Sequence, residues 1–403
     1  MRRNRIKYIA LLLLSINFIY FYGGIVPYSL FYTAISLAVF SFLYAYFVYR
    51  KFSCSIYLEK IRAVKGEKVF FEYIFFNKAF LMNPYIKGKF CDMHLLTEKL
   101  NEKEASGFSL EPFATFRKGY GLDCRYTGIY TVGIENLYIE DLLGIFRFRA
   151  NAGKTYELLV YPKIIEIQNI PFIARMVNES EITNRNTWDH TNEVSDVRQY
   201  IMGDSLKKIH WKHTAKMNEI MVKNFESTTK NTTEILLDLS PVCLEDEAMA
   251  ALKDKFIEML IAVSNYFAVR RQSVRIRSFS ENFEQIEFED EHSFSRLYYS
   301  SIRIQFHAAA CGTLPEITNL FFESGDNGMN LFIFTCDIRE KNRKEILRAM
   351  LRGYCVTVFY LNPGHNIDKN SICELRSAGI NVVEYFADSD IKRVIEDEEY
   401  MVS

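Results

Sequence analysis

The segment "MNLFIFTCDIREKNRKEILRAMLRGYCVTVFYLNP", residues 329–363, decides the fold of the C-terminal part of this 403-residue chain. It begins with a short apolar run and ends with a second one, which stops at Pro363. Both runs have the length of a buried strand, and the charged stretch between them is predicted to be a helix. A strand, a helix and a strand in succession are typical of a parallel sheet with crossover helices.

The same alternation continues on both sides of this segment. The runs "EILLDLS" (234–240), "SVRIRSFS" (273–280) and "NVVEYF" (381–386) are predicted strands. Residues 244–271 carry apolar side chains at steps of three and four, which indicates an amphipathic helix. Residues 229–403 are therefore predicted to form an α/β domain with a doubly wound, mostly parallel sheet. Ligands in such sheets bind at the carboxyl ends of the strands.

Four polar side chains are predicted to meet at that edge. Asp238 and Ser240 follow the first strand, Thr313 lies in the segment before a helix, and Asp337 ends the strand of the opening segment. Hydroxyl and carboxylate oxygens are hard ligands that suit Mg²⁺. The alternative is that Asp238 and Ser240 cap the following helix or brace the loop.

This layout resembles the metal-dependent adhesion site of a von Willebrand factor A domain. That motif has the form Asp-x-Ser-x-Ser, followed by Thr and then Asp, and Val242 stands here at its second Ser position. The resemblance implies a Rossmann-type domain with a degenerate cation site, formed by Asp238, Ser240, Thr313 and Asp337.

Residues 53–162 are rich in short runs of β-branched and aromatic residues, separated by Gly, Asn or Asp. This spacing, with no clear helix, predicts an antiparallel β-sandwich-like domain. Residues 163–228 are assigned to a linker and a signature segment, because residues 163–196 are polar and lack periodicity.

Residues 1–52 are predicted to form a transmembrane helical hairpin, with spans at about residues 6–22 and 27–49. The first span lies at the lower limit of roughly 17 residues, and the second is long enough to cross a bilayer. A signal peptide is the less favoured interpretation, because no A-x-A-like cleavage site follows and a second span does.

Basic residues flank both spans, and the connection between them has none. They are Arg2, Arg3, Arg5, Lys7, Arg50 and Lys51. The positive-inside rule then predicts a two-pass protein of the cell membrane with both termini and the soluble domains in the cytoplasm. The eight cysteines, with no CxxC pair, fit a reducing compartment.

The segment "VRQYIMGDSLKKIHWKHTAKMNEIMVKNFE", residues 197–226, is called the signature segment below. A turn is predicted at Gly203-Asp204, followed by a short helix to about Lys216 with Asp204 or Ser205 as its N-cap. His210 and His213 are three residues apart and can share a helix face. Trp211 is assigned to a core or an interface.

The signature segment resembles that of a bacterial family known as domain of unknown function 58. The residues that carry the resemblance are Arg198, Tyr200, Gly203, Asp204, His210, Trp211 and Lys212. Lys208 departs from the family pattern, where Arg is usual. Because the family has no established activity, the resemblance implies only a setting, since family genes neighbour those of MoxR-type AAA+ ATPases and transglutaminase-like membrane proteins.

Two functions follow as hypotheses. The first is a non-enzymatic scaffold in the lipid bilayer whose von Willebrand A-like domain binds a protein partner, a MoxR-type AAA+ ATPase, in envelope or protein-complex assembly. The second is a metal-dependent hydrolase or transferase centred on Gly203-Asp204 and His210-His213. A buried Trp211 with histidines pointing apart would exclude the second.

The net charge of −1 gives no sign of a nucleic-acid partner, and no P-loop or G-x-S-x-G motif is present.

Overall fold

The computed structural model of the chain describes residues 2–91, 95–96, 106–170, 194–201, 209–225, 233–278, 285–306, 314–323, 330–364 and 369–397. Within these ranges the chain is an α+β protein with two apolar N-terminal helices and several sheets. It divides into two compact units, Met1–Lys163 and Ile164–Ser403.

The first unit begins with two helices, α1 (Arg2–Tyr22) and α2 (Ile25–Lys51). Gly23 and Gly24 join them, and both have positive φ angles, which a residue with a Cβ adopts only under strain. Each helix is long and apolar enough to cross a membrane. The helical hairpin is therefore present as predicted, and both helices extend beyond the predicted spans.

Ten strands follow in the described part of the first unit. They are β1 (Phe52–Leu58), β2 (Arg62–Val64), β3 (Lys68–Asn77), β4 (Asn83–Phe90), β5 (Ser106–Leu110), β6 (Thr115–Asp123), β7 (Gly128–Val132), β8 (Ile134–Glu140), β9 (Arg147–Ala150) and β10 (Tyr156–Tyr161). They form three sheets with the orders β1-β3-β6, β2-β10-β7 and β5-β4-β8-β9. In β3, every second side chain from Val69 to Phe75 is buried, because alternate residues of a strand face opposite sides.

One core joins the three sheets, with Phe71, Ile86 and Leu158 from a different sheet each. The pairings are antiparallel except for β2 with β10, which is parallel. This pairing departs from the wholly antiparallel arrangement that was predicted. A three-residue edge strand is too short for its hydrophobic pattern to indicate a direction.

The second unit contains a two-stranded sheet of β11 (Val194–Gln199) and β12 (Met221–Phe225), with the short helix α3 (Trp211–Met217) between them in the chain. A six-stranded sheet follows.

The elements of this larger part are β13 (Thr233–Leu237), α4 (Asp246–Val269), β14 (Val274–Ser278), β15 (Ile286–Phe288), α5 (Glu291–Ser301), α6 (Leu314–Glu323), β16 (Asn330–Thr335), α7 (Glu340–Leu351), β17 (Cys355–Leu361), α8 (Lys369–Ser377), β18 (Asn381–Tyr385) and α9 (Ile391–Glu396). The sheet order is β15-β14-β13-β16-β17-β18. All neighbouring strands are parallel except β14 and β15.

Both faces of this sheet are covered, which explains why the central strands β16 and β17 carry apolar side chains on both faces. Ile235 and Leu237 of β13 pack in one core with α4, whereas Leu236 packs in a second core with α7 and α8. The opening segment forms β16, α7 and β17, as the sequence predicts. The short β15 and the helices α5 and α9 were not among the predicted elements.

Candidate functional site

The first candidate site lies where β13 and β16 end side by side. β13 pairs with β14 on one side and β16 on the other, so the order of the strands along the chain reverses between them. The Asp238 amide donates to the Phe334 carbonyl at 2.8 Å, which holds the two strand ends together. Crevices at such reversals are the usual binding sites of open parallel sheets.

Asp238 is only 1% exposed, and both of its carboxylate oxygens accept hydrogen bonds. Oδ1 accepts from the amide and the hydroxyl of Ser240, at 3.2 and 2.5 Å. Oδ2 accepts from Thr335 Oγ1 at 2.6 Å and from Asn342 Nδ2 at 3.1 Å. Burial raises the pKa of Asp238, the bonds from Ser240 and Thr335 lower it, and the net direction is upward.

Asp337 faces a different partner. The guanidinium of Arg339 donates hydrogen bonds to both oxygens of the Asp337 carboxylate, with Nε at 2.9 Å from Oδ1 and Nη2 at 2.7 Å from Oδ2. Arg339 itself is 85% exposed. Burial raises the pKa of Asp337, but the hydrogen bonds and positive charge of Arg339 outweigh it and lower the pKa overall.

The predicted cation ligands were Asp238, Ser240, Thr313 and Asp337. The structure brings Asp238, Ser240 and Asp337 to one edge, and Thr313 lies outside the described residues. As arranged, the three do not fit a divalent cation. The oxygens of Asp238 point at donors, and a positive charge already occupies the oxygens of Asp337. In the described part of the chain, no three His, Cys, Asp or Glu side chains are placed to hold a metal.

The arrangement can instead brace the edge of the sheet. Asp238 accepts from the Ser240 amide two residues on, which is an Asx turn. Of the two alternatives, the bracing of the loop therefore agrees with these contacts. Helix capping does not, because α4 begins only at Asp246, with Glu245 at the N-cap position.

Three members of this network were not singled out in the sequence: Thr335, Arg339 and Asn342. Thr335 and Arg339 each lie two residues from Asp337, which was the only local signal. Asn342 also donates to the Asp337 backbone carbonyl at 2.9 Å, so it links the carboxylate of Asp238 to the backbone of Asp337. Its contact with Asp238 joins residues 104 positions apart, and no local pattern marks such a pair.

The second candidate site is the signature segment. Ile209 and Val222 form an isolated bridge, and both side chains are buried. The His210 amide donates to the Met221 carbonyl at 2.8 Å, and Thr214 Oγ1 accepts from the Met221 amide at 3.0 Å. These bonds tie α3 to β12.

The helix of this segment begins later than predicted. It starts at Trp211, and His210 is the N-cap, with its Nδ1 accepting from the His213 amide at 3.2 Å. The prediction of Asp204 or Ser205 as N-cap is therefore wrong for α3, because Ile209 is held extended by its bridge to β12. Gly203, Asp204 and Ser205 lie outside the described residues.

Trp211 is 70% exposed, so its assignment to a core is wrong, and its assignment to an interface stays a prediction. The whole of α3, which has only seven residues, shares this exposure, since none of its residues is buried. Lys212 is exposed as well. The large apolar side chains of Ile201, Met217 and Ile220 are also exposed in this segment.

The other predicted signature residues make local contacts within the segment. The amide of Tyr200, whose side chain is half-buried, donates to the Ile220 carbonyl at 2.9 Å. Arg198 is exposed, and its Nη1 lies 3.3 Å from the Gln199 carbonyl. The rings of His210 and His213 lie edge to face with centroids 4.9 Å apart. The histidines thus do not point apart, and the geometry does not meet the criterion that would exclude the enzyme hypothesis.

Comparison with known proteins adds one family. Residues 196–276 match the family described as "Protein of unknown function DUF58", a stretch that runs from β11 into β14. No curated protein matches the chain.

Two solved structures of a GH20 exo-β-N-acetylglucosaminidase from Vibrio harveyi are similar over part of their length. The complex with N-acetylglucosamine has 9% identity and a TM-score of 0.17, and the match covers 81% of this chain and 59% of that one. An inactive mutant gives 10% identity, a TM-score of 0.15 and the same coverage. The chain thus spans less than two thirds of those proteins, and scores this low carry no argument about fold or function.

Proposed function

We propose that this chain is a membrane-anchored, non-enzymatic scaffold that binds a protein partner. Its residues 196–276 match the family of unknown function DUF58. The proposed partner is a MoxR-type AAA+ ATPase, and the proposed setting is envelope or protein-complex assembly. A transglutaminase-like membrane protein is a second proposed member of the assembly. These identities rest on the family resemblance.

The exposed Trp211 carries the proposal. A tryptophan left in water at a well-tied helix start is unusual, since large aromatic side chains gain most when they are buried. Tryptophan is also among the residues that dominate the binding energy of protein interfaces. The exposed apolar neighbours and Lys212 supply the mixed surface that such a contact needs.

The six-stranded sheet supports a von Willebrand A-like assignment for the second unit. Numbered from β13, its strands have the order 3-2-1-4-5-6 of a doubly wound fold. The network of Asp238, Ser240 and Asp337 sits at the reversal point where that fold binds ligands. We propose a degenerate site in which the Asp337–Arg339 pair takes the place of a cation.

The two apolar helices supply the membrane anchor of the proposal. The basic flanks of the hairpin favour an orientation with both termini and the soluble units in the cytoplasm. In that arrangement the signature segment is accessible to a cytoplasmic ATPase.

The test is cross-linking in native cells, purification of the full-length protein in mild detergent, and quantification of a MoxR-type ATPase by mass spectrometry. Trp211→Ala is compared with Leu351→Ala, which removes an exposed apolar side chain at the end of α7. We expect Trp211→Ala to lower recovery roughly tenfold or more, as for an interface hot spot. Leu351→Ala should recover the ATPase at the wild-type level.

Trp211→Ala should also unfold at the wild-type midpoint, because an exposed side chain contributes little to stability. Equal recovery from the wild type and from Trp211→Ala would remove the basis of the proposal.

One observation favours the alternative, a metal-dependent hydrolase or transferase centred on Gly203-Asp204 and His210-His213. The two rings are close, and the N-cap bond uses Nδ1 of His210, which leaves its Nε2 for another ligand. Metal analysis of the purified full-length protein separates the two. Stoichiometric zinc in the wild type that is lost in His213→Ala would favour the enzyme, and its absence from both would favour the scaffold.

A further inference from the structure

The last third of α2 is packed against the sheets of the first unit. Ring centroids of α2 lie 5.2–6.2 Å from those of the β-rich part in five pairs: Phe42–Phe146, Phe42–Phe148, Tyr46–Phe148, Tyr49–Phe148 and Phe47–Phe80. These contacts begin one residue after Ser41 and continue to the end of the helix. This part of α2 is therefore covered by protein along one side.

Hydrogen bonds of Ser41 and Arg5 with residues 141–146 lie at the start of this contact, and we call them the clasp. The Ser41 hydroxyl donates to Asp141 Oδ2 at 2.5 Å, and Asp141 Oδ1 accepts from the Phe146 amide at 3.0 Å. Arg5 of α1 donates through Nε to the Ile145 carbonyl at 2.7 Å. Residues 141–146, which connect β8 to β9 and are called the clasp turn below, are thus bound by both helices.

The clasp limits how much of the hairpin can lie in hydrocarbon. Asp141 is buried, but the irregular backbone of the clasp turn is exposed at Leu142, and such a turn is not tolerated facing lipid tails. The hydrocarbon must therefore end near Ser41. The stretch from Ile25 to Phe40 rises about 24 Å at roughly 1.5 Å per residue, whereas the hydrocarbon core of a bilayer is about 30 Å thick.

The helix stretch is thus shorter than the hydrocarbon core is thick, so the bilayer either thins around the helices or contacts the protein beside them. In both cases the β-rich part lies at the membrane surface. The exposed apolar side chains at this level fit that environment. Leu142 of the clasp turn is 50% exposed. Met82 is 41% exposed, and its carbonyl accepts a hydrogen bond from the Tyr44 hydroxyl of α2.

We infer that the clasp turn and residues 80–82 form a lipid-contacting rim, with Leu142 and Met82 in the boundary between headgroups and acyl chains. The inference rests on the membrane anchor of the proposed function and adds a second contact to it. We assign lipid as the partner of this rim because the rim continues the exposed apolar surface of α1 and α2. The neighbouring Arg2, Arg3, Lys51 and Lys78 are suited to anionic headgroups.

Depth-dependent fluorescence quenching tests the rim. The full-length protein, with Trp188→Phe and Trp211→Phe as background, is reconstituted into vesicles of phosphatidylcholine and phosphatidylglycerol. Single tryptophans are then placed by Leu142→Trp in the rim, by Leu14→Trp in α1 and by Tyr57→Trp at the far end of β1. All three native side chains are exposed. The quenchers are lipids brominated at a shallow or a deep position of the acyl chain.

We expect the Leu142→Trp protein to lose roughly half of its fluorescence in lipids brominated at the shallow position, as for a side chain held at the headgroup–acyl boundary. The Leu14→Trp protein should be quenched most by the deep position, and the Tyr57→Trp protein by neither. Met82→Trp reports on the same rim if Leu142→Trp does not fold.

The outcomes separate the rim from the anchor. Quenching at Leu14→Trp with none at Leu142→Trp or Met82→Trp overturns the rim and leaves the anchor in place. The absence of quenching at Leu14→Trp as well contradicts the membrane anchor of the proposed function.

Discussion

At the carboxyl edge of the six-stranded sheet, the polar groups find partners within the unit, whereas the signature segment leaves its largest apolar side chain in water. Asp238 accepts hydrogen bonds from Ser240, Thr335 and Asn342. Trp211, by contrast, lies on a helix with no buried residue. A site whose groups are already satisfied serves the fold, and a site with unsatisfied surface is where a partner gains most by binding.

The largest expected effect that tests this comparison is that of Asp238→Ala. The change removes the acceptor of the Ser240 amide and hydroxyl and leaves Thr335 and Asn342 to share the Asp337 carbonyl. We therefore expect a loss of about 2–4 kcal/mol in the free energy of unfolding. Urea titration of the full-length protein in detergent measures it. Asp337→Ala is the matched control and should cost about 1 kcal/mol or less, because its partner Arg339 is exposed to solvent. Equal costs for the two variants would show that the edge is not a closed network.

The next effect concerns the cation. Because Arg339 occupies the oxygens of Asp337, we expect the wild type to show no change in its unfolding midpoint with Mg²⁺. Arg339→Ala frees that carboxylate, so Mg²⁺ should stabilise this variant by about 1.4 kcal/mol at ten times its dissociation constant. Ca²⁺-free and Mg²⁺-free buffers give the baseline. Stabilisation of the wild type by Mg²⁺ would mean that a cation displaces Arg339 and that the edge is an open site.

The smallest effect is a dependence on pH. Burial raises the pKa of Asp238, so the native chain keeps this proton to a higher pH than the unfolded chain, in which Asp titrates near about 4. The stability that comes from the protonated form is fully present below that pH and is lost as the pH rises through the raised pKa.

Asp238→Asn cannot ionise, so this loss is absent from the variant. We expect the unfolding free energy of the wild type, relative to that of Asp238→Asn, to decline as the pH rises from about 4 to 7. Urea titrations of both proteins at several pH values measure the difference. A difference that grows with pH would show that the hydrogen bonds to the carboxylate outweigh its burial.

Much of the fold was predictable because it depends on neighbours in the chain. The apolar runs of α1 and α2, the alternation in β3 and the strand–helix–strand order of residues 329–363 are local patterns, and each predicts its element directly. The pairing of β2 with β10 depends on residues almost a hundred positions apart, and its direction was not predictable from three residues.

The candidate sites were harder to predict for the same reason. Asp238, Ser240 and Asp337 were brought to one edge as expected, because the ends of neighbouring parallel strands meet. The roles of Asn342 and Arg339 depend on which donors reach Asp238 and Asp337, and the sequence pattern does not contain that information. A seven-residue helix has too few turns to show which face is covered, so the exposure of Trp211 was also not predictable.

The two-residue connection between α1 and α2 has a consequence for the biogenesis of the protein. Apart from Gly23 and Gly24, the hairpin offers no hydrophilic segment between its helices that an insertion machinery must carry across the bilayer. The cost of moving backbone and charged groups through lipid is therefore small. For the membrane anchor that we propose, the two helices can enter the bilayer together as one unit, and in the proposed orientation the remainder of the chain stays on the side where it is synthesised.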